Sequence, residues 1–149
     1  MPLWSKHLAS LYVADSGKGV TVEPAGNVVA CGVLNGDAFV KKYSVTGAEL
    51  WMRLIAGTGS ETSAAVAVDA VGSVAIAGYT SSLSTDFGAG GVAGRGDNEA
   101  FVARYSATGA PLWAKVVGGI GTGVSTGVAQ TATGEVYATG QFSTSIDFG

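Results

Sequence analysis

The sequence has little cysteine, little charge and no long hydrophobic run, and each shortage excludes a class of protein. Cys31 is the only cysteine among 149 residues, so no disulfide can form within the chain. Charged residues make up 13% and hydrophobic residues 47%, a balance opposite to that of disordered proteins. No run of about 18 apolar residues occurs, so no membrane-spanning helix is expected.

Basic patches and metal-ligand motifs are also scarce. The net charge is −3 and lysine and arginine form no cluster, so we expect no nucleic-acid partner. His7 is the only histidine, and one histidine with one cysteine does not provide the ligands of a zinc site. His7 also falls in a predicted strand, which argues against a Ser-His-Asp triad. The sequence therefore predicts no enzyme, no metal and no cofactor.

Glycine, by contrast, is abundant, and the chain repeats itself. There are 24 glycines, and they separate short runs of valine, isoleucine and aromatic residues, as in a protein of many strands. Residues 38–51 return as residues 100–113, and residues 22–32 return as residues 68–78. The second spacing differs from the first because one connection, between Gly78 and Ala100, has grown by 16 residues. Repeats of this length indicate a modular fold.

Each repeat predicts four strands, about residues 64–69, 73–78, 100–105 and 111–117 in the best-preserved unit. Both faces of these strands are apolar, which fits sheets packed between neighbouring sheets. Four-stranded blades arranged radially are the plan of a propeller. A parallel β-helix and a β-sandwich are the alternatives, but a β-helix repeats in shorter rungs and a sandwich has no reason to repeat. We predict an all-β fold, a β-propeller sector of four-stranded antiparallel blades in an incomplete ring.

Both ends of the sequence fall inside a repeat. Residues 2–6 match residues 111–115, and residues 147–149 match residues 86–88. We therefore expect a single propeller region over residues 1–149 that starts and ends within a blade, with eleven strands in all. One interpretation is a piece of a longer chain. The other is a homodimer, in which the strand around Trp4 of one copy completes the two-stranded final blade of another and closes the ring.

The repeats resemble the SBBP-type bacterial β-propeller repeat. The resemblance rests on Ala-Phe-Val-x-[Lys/Arg]-Tyr-x-x-Thr-Gly-x-x-Leu-Trp, at residues 38–51 and 100–113, and on Asp-Phe-Gly at residues 86–88 and 147–149. It implies a secreted or surface-attached bacterial propeller. The Thr-Gly-x-x-x-Trp core is also similar to quinoprotein dehydrogenase propellers, but Tyr43 and Tyr105 replace the aspartate of that motif, so no quinone cofactor is expected.

The long connection, residues 80–99, is the best candidate for a working surface, because loops on rigid scaffolds often carry function. Asp86, Arg95, Asp97 and Asn98 are its candidate ligand-binding residues. A passive connector is an equally good interpretation. A calcium site formed by Asp86, Asp97, Asn98 and Glu99 is disfavoured, because no calcium-binding spacing is present.

The predicted function is a non-catalytic extracellular or cell-surface scaffold that binds protein or carbohydrate through these loops. The alternatives are a sector of a propeller enzyme with its catalytic groups in other blades, and a passive spacer. The recurring Trp4, Trp51 and Trp113 are predicted to pack between blades. Lys42 and Arg104, at equivalent positions, are predicted to extend along a blade edge toward solvent. Residues 119–123 and 86–88 are interpreted as turns rather than as nucleotide-binding or kinase motifs.

Overall fold

A computed structural model of the chain describes residues 4–7 and 15–148. These residues contain twelve strands and no helix, which confirms the all-β prediction. In the residues that the structure describes, no helix could cross a membrane. The strands are β1 (Ser16–Val22), β2 (Val28–Leu34), β3 (Asp37–Tyr43), β4 (Glu49–Gly57), β5 (Glu61–Val68), β6 (Val74–Thr80), β7 (Ser84–Asp86), β8 (Gly91–Ala93), β9 (Glu99–Tyr105), β10 (Pro111–Val117), β11 (Gly123–Gln130) and β12 (Val136–Phe142).

The strands form three antiparallel sheets. The first has the order β1-β2-β3-β4-β7-β8, the second β10-β9-β6-β5, and the third contains β11 and β12. The four strands of the second sheet are those predicted for the best-preserved repeat. Short glycine turns join most neighbouring strands, and such turns bring consecutive strands together in antiparallel pairs.

The turn between β3 and β4 shows how the repeated motif folds. The Ser44 side-chain oxygen accepts hydrogen bonds from the amides of Thr46 and Ala48, at 3.3 and 3.1 Å. Gly47 closes the turn with a φ of 80°, a conformation that glycine adopts without strain. The turn between β9 and β10 repeats these bonds from Ser106, at 3.3 and 3.1 Å. The Ser-x-Thr-Gly pattern is therefore explained by one turn used twice.

The N-terminal segment differs from the prediction. Residues 4–7 form no strand, so the predicted strand around Trp4 is not observed there. Trp4 is held instead by its side chain, whose Nε1 donates to the Val45 carbonyl at 3.1 Å. His7 is exposed and likewise lies outside any strand. Residues 8–14, with the apolar run of the N-terminus, lie outside the described residues.

The long connection between β6 and β9 contains a hairpin, β7–β8, that the sequence did not predict. This hairpin crosses to the first sheet, where Ala56 pairs with Asp86 and Gly57 with Thr85. The third unit repeats the crossing as a single bridge between Gly118 and Asp147. Each Asp-Phe-Gly element therefore joins the outer strand of the preceding unit.

The core lies between the first and second sheets. The first sheet contributes Val29, Val40 and Ile55, and the second contributes Ile76 and Phe101, all of them fully buried. Burial of a large apolar side chain contributes about 1.5–3 kcal/mol to folding. The interface between these sheets is therefore a main source of stability.

Cys31 lies in this core, and we predict that its thiol reacts only after unfolding. Burial raises the pKa of Cys31 to about 12, against a smaller lowering by a hydrogen bond with the Gly19 backbone. Since the thiolate is the reactive form, a thiol reagent should modify the native chain about a thousandfold more slowly than the chain in denaturant. A colorimetric thiol assay under both conditions measures this ratio, and equal rates would contradict the buried position.

Candidate functional site

Asp86, the first predicted ligand-binding residue, holds a turn. It is exposed at the end of β7, and its Oδ1 accepts hydrogen bonds from the amides of Gly88 and Gly90, at 2.7 and 3.2 Å. This side chain therefore fixes the tip of the β7–β8 hairpin. The Asp-Phe-Gly triplet begins at the last residue of β7 and continues into the turn. Both hydrogen bonds go to the same carboxylate oxygen, Oδ1 of Asp86.

Arg95, Asp97 and Asn98 lie together on the segment between β8 and β9, and all three are exposed. Asp86 is not with them. It pairs with Gly91 at the tip of the hairpin, whereas Ser84 pairs with Ala93 at the base, and the segment leaves from that base. The structure therefore places three of the four predicted residues on one short loop, residues 94–98, and the fourth at the opposite end of the hairpin.

Glu99, the first residue of β9, holds the backbone of this loop through its buried carboxylate. Its side chain is buried, and its Oε2 accepts a hydrogen bond from the Arg95 amide. The Asn98 carbonyl accepts a hydrogen bond from the Gly123 amide at 2.7 Å, which ties the loop to the third sheet. The backbone of the loop is therefore fixed at both ends while its polar side chains face solvent.

Two clefts flank the loop. Arg95 lines a cleft of about 430 Å³ with Lys115, Glu99 and Asp147. Asn98 lines another of about 420 Å³ with Thr122, Gln141 and Phe142, among others. These clefts combine cations, carboxylates, amides and hydroxyls, which is the chemistry that binds polar ligands by hydrogen bonds.

A buried polar network lies at the start of the connection between β6 and β9, and sequence reasoning missed it. The carboxylate of Glu61 is fully buried and accepts hydrogen bonds from Thr80 Oγ1 at 2.9 Å and Ser82 Oγ at 2.5 Å. The Gly57 amide also donates to it, at 3.1 Å. Buried charges require such partners. Glu61 corresponds to Gly123 in the next unit, so the repeat carried no signal for it.

The acidic residues of the connection do not converge. Among residues 4–7 and 15–148 there is no group of three or more His, Cys, Asp or Glu side chains that could hold a metal ion. Glu99, one of the residues considered for calcium, is instead used in the loop anchor.

Lys42 and Arg104 correct the prediction made for them, because neither extends along an edge to solvent. Lys42 is 3% exposed, and its Nζ lies 2.5 Å from Glu23 Oε2. Arg104 Nη2 lies 2.8 Å from Asp69 Oδ2. Arg104 Nε donates a hydrogen bond to Gln130 Oε1 of the third sheet, at 3.1 Å. Each cation therefore pairs with an acid in the first turn of its own unit. Each also reaches the next sheet, since Lys42 Nζ donates to the Gly72 and Ala107 carbonyls at 3.4 and 3.3 Å.

Of the three tryptophans, Trp51 packs between the first and second sheets, and Trp4 makes the same contact with the first sheet from a segment that forms no strand. Trp51 Nε1 donates to the Ala107 carbonyl at 3.0 Å, and Trp4 Nε1 donates to Val45 in the same way. Each ring covers the glycine of the turn it contacts, Gly109 or Gly47, where a Cβ atom would lie 2.6 or 2.8 Å from the ring. Trp113 differs, since it is 41% exposed.

The Asp69–Arg104 ion pair predicts that the free energy of unfolding falls at acidic pH. Burial raises the pKa of Asp69, but hydrogen bonds from Arg104 and the amides of Ser73 and Val71 outweigh burial and hold the pKa below its ordinary value of 3.8. A depressed folded pKa stabilises the native state above about pH 4, and that stability is lost as the pH falls toward the folded pKa.

We therefore expect Asp69→Asn to lower the free energy of unfolding by about 1–3 kcal/mol near neutral pH. At about pH 3 the difference from wild type should shrink, because the Asp69 carboxylate of the unfolded wild-type chain is then largely protonated and part of the stability that its ionised form gives the native state is lost. Urea unfolding at both pH values measures this. Asp97→Asn, at an exposed carboxylate, is the control and should change stability little; an undiminished Asp69→Asn effect in acid would contradict the assignment.

The sequence matches no protein-family model, and no curated protein matches it.

Proposed function

We propose that this chain is a sector of a β-propeller of the SBBP-type bacterial kind. In this proposal it is secreted or displayed on the cell surface, and it binds a protein or carbohydrate without catalysing a reaction. Its binding surface is the loop of residues 94–98, with Asp86 at the far end of the same hairpin as a second contact. The family and the location are what the repeat motif implies.

The observation that supports the propeller is the repeated contact between successive units. Lys42 Nζ of the first sheet donates to the Gly72 carbonyl in the turn between β5 and β6, at 3.4 Å, and Arg104 Nε, at the equivalent position of the second sheet, donates to Gln130 Oε1 of β11, at 3.1 Å. The same contact used twice relates neighbouring units by a similar step. A constant step between four-stranded sheets is what a radial array of blades requires.

The observation that supports binding is the contrast between the loop and its base. Arg95, Asp97 and Asn98 are exposed, while Glu99 beneath them is buried and bonded to the loop backbone. A fixed backbone loses little conformational entropy when a ligand binds. Guanidinium, carboxylate and amide groups provide both donors and acceptors for sugar hydroxyls or a peptide backbone.

The test is a screen of the purified chain against glycan and surface-protein arrays. A ligand found there should lose at least tenfold in affinity with the triple variant Arg95→Ala, Asp97→Ala, Asn98→Ala. Val71→Ser is the control, since Val71 is 73% exposed and lies in the turn at the other end of β6. Asp86→Ala is measured separately. Binding that the triple variant leaves unchanged would refute the loop as the site.

The predicted homodimer belongs to the same proposal and has its own measurement. Trp4 already packs on Tyr43 of its own chain, with ring centroids 5.6 Å apart, so a dimer that completes the ring must form without displacing that contact. Light scattering on the purified chain gives the mass. A monomer at all accessible concentrations would refute the dimer and leave the loop proposal standing.

A further inference from the structure

The turn between β2 and β3 consists of two residues, Asn35 and Gly36. Leu34 pairs with Asp37 across it, and the two turn residues have φ angles of 55° and 90°. Asn-Gly is a dipeptide that this type of hairpin turn favours. Asn35 is exposed, and a Cβ atom at Gly36 would lie more than 4 Å from every atom outside the neighbouring residues. Solvent therefore reaches both residues of the turn.

Asn35 is the only one of the three asparagines that precedes a glycine. Asn27 precedes Val28, and Asn98 precedes Glu99. The side-chain amide of an asparagine reacts with the backbone nitrogen of the next residue when the two groups meet, and the side chain of that next residue hinders their approach. Glycine has no Cβ atom and adopts the widest range of backbone conformations. The sequence therefore distinguishes Asn35 as the position most open to this reaction.

Neither reacting group of the turn is held by a hydrogen bond. Among the residues that the structure describes, no hydrogen bond involves the Asn35 side chain or the Gly36 amide; the Asn35 backbone amide alone donates, to Asp15 Oδ1 at 2.9 Å. The side chain of Asn27, by contrast, donates to Glu23 Oε1. The reaction at Asn35 therefore requires no hydrogen bond of either reacting group to break.

We propose that Asn35 converts spontaneously to aspartate and isoaspartate, with water as the only co-reactant. The Gly36 nitrogen loses its proton to solvent and bonds to Cγ of Asn35, while the side-chain nitrogen takes a proton from solvent and leaves as ammonia. The product is a five-membered succinimide, and an intramolecular attack of this kind is fast because the two groups are already neighbours. Water then breaks one of the two bonds to the Gly36 nitrogen. Cleavage at Cγ gives aspartate, and cleavage at the main-chain carbonyl carbon gives isoaspartate.

The isoaspartate product should weaken a contact between the first and second sheets. The Gly36 carbonyl accepts a hydrogen bond from the amide of Glu61, the first residue of β5, at 3.2 Å. The same contact recurs one unit later, where the Asn98 carbonyl accepts from the Gly123 amide at 2.7 Å. Isoaspartate adds one carbon to the backbone of a two-residue turn. The turn then no longer fits both the paired strands on either side of it and the amide of Glu61.

The aspartate product, by contrast, is compatible with the fold. Asp97 occupies the position equivalent to Asn35 in the next unit, and the carbonyl of the residue after it keeps the contact with the third sheet. Aspartate also tolerates the positive φ of residue 35. The Asn35→Asp variant therefore reproduces the new charge without the longer backbone, and separates the effects of the two products.

The test is incubation of the purified whole chain in mildly alkaline buffer, followed by peptide mass spectrometry that distinguishes aspartate from isoaspartate at each asparagine. We expect Asn35 to convert about tenfold faster than Asn98, which is equally classed as exposed but precedes a glutamate. Asn98 is thus a control within the same molecule. Conversion of Asn35 that is no faster than that of Asn98 would overturn the proposal.

Hydrogen exchange at the Glu61 amide, followed by NMR, tests the structural consequence. Its protection should fall in the isoaspartate fraction of the incubated sample, because the acceptor at Gly36 has moved. Freshly purified Asn35→Asp should keep the protection of the unmodified chain, and so should the Gly123 amide in every sample. An isoaspartate fraction with unchanged protection of the Glu61 amide would refute the loss of the contact between the sheets.

Discussion

Replacement of Trp51 by alanine is expected to lower the free energy of unfolding by about 3–5 kcal/mol. The side chain packs on the turn at Gly109, contacts Tyr105 with ring centroids 6.4 Å apart, and donates a hydrogen bond to Ala107. Alanine would remove all three contacts and leave a cavity between the first and second sheets. Urea unfolding followed by circular dichroism measures the loss, which is a large fraction of the stability of a typical domain.

Trp113→Ala is the matched control, because Trp113 occupies the same repeat position in a more exposed environment. We expect it to change the free energy of unfolding by about 1 kcal/mol or less. The comparison separates the contribution of the contact between units from the contribution of a tryptophan within its own strand. Equal losses in the two variants would contradict the assignment of Trp51 as a contact between units.

Replacement of Phe87 by alanine should also cost about 3–5 kcal/mol. Phe87 is 2% exposed and packs edge-on against Phe101 of the second sheet, while its neighbour Asp86 is paired with β4 of the first. Its loss should therefore separate the β7–β8 hairpin from the second sheet. Hydrogen exchange should show reduced protection of β7 in the variant, in addition to the lower stability found by urea unfolding.

Phe148→Ala provides the comparison for Phe87. Both phenylalanines follow an aspartate that pairs with the preceding unit, but Phe148 is 69% exposed. Its removal should change stability by no more than about 0.5 kcal/mol. A large loss would mean that Phe148 is buried in solution by a partner, which a measurement of mass on the same sample would identify.

The regular part of the fold could be predicted because it is encoded locally and repeatedly. Apolar residues on both faces define β9, and a serine with a glycine three positions later defines the turn after it, as at Ser106. The same signals recur at Ser44, so one observation supports two units. Strand boundaries in the second sheet consequently agree with prediction to within a few residues.

The β7–β8 hairpin could not be predicted, because its strands have three residues each and β7 pairs with β4, which is far away in the sequence. Non-local pairing leaves no periodic signal in so short a segment. The ion pairs were missed for a related reason. Glu23 precedes Lys42, and Asp69 precedes Arg104, by a whole strand or more, so sequence alone gave the two cations no visible partners.

The candidate site was predictable in its exposure but not in its grouping. Glycines around Arg95 and Asp97 indicated a surface segment, which the structure bears out. The separation of Asp86 from Asn98 depends on the hairpin between them. The anchor at Glu99 depends on a buried carboxylate that meets the backbone amide of Arg95. Neither feature follows from composition.

The crossing of the β7–β8 hairpin to β4 also has a consequence for synthesis on the ribosome. β4 ends at Gly57, but the strand that pairs with its end begins at Ser84. A nascent chain that has released the first four strands thus still lacks the last two strands of its first sheet. The end of β4 stays unprotected until two strands of the following unit have been translated. Folding during synthesis must therefore lag behind the repeat boundaries, and a ribosome stalled between Gly57 and Ser84 would hold an incomplete sheet.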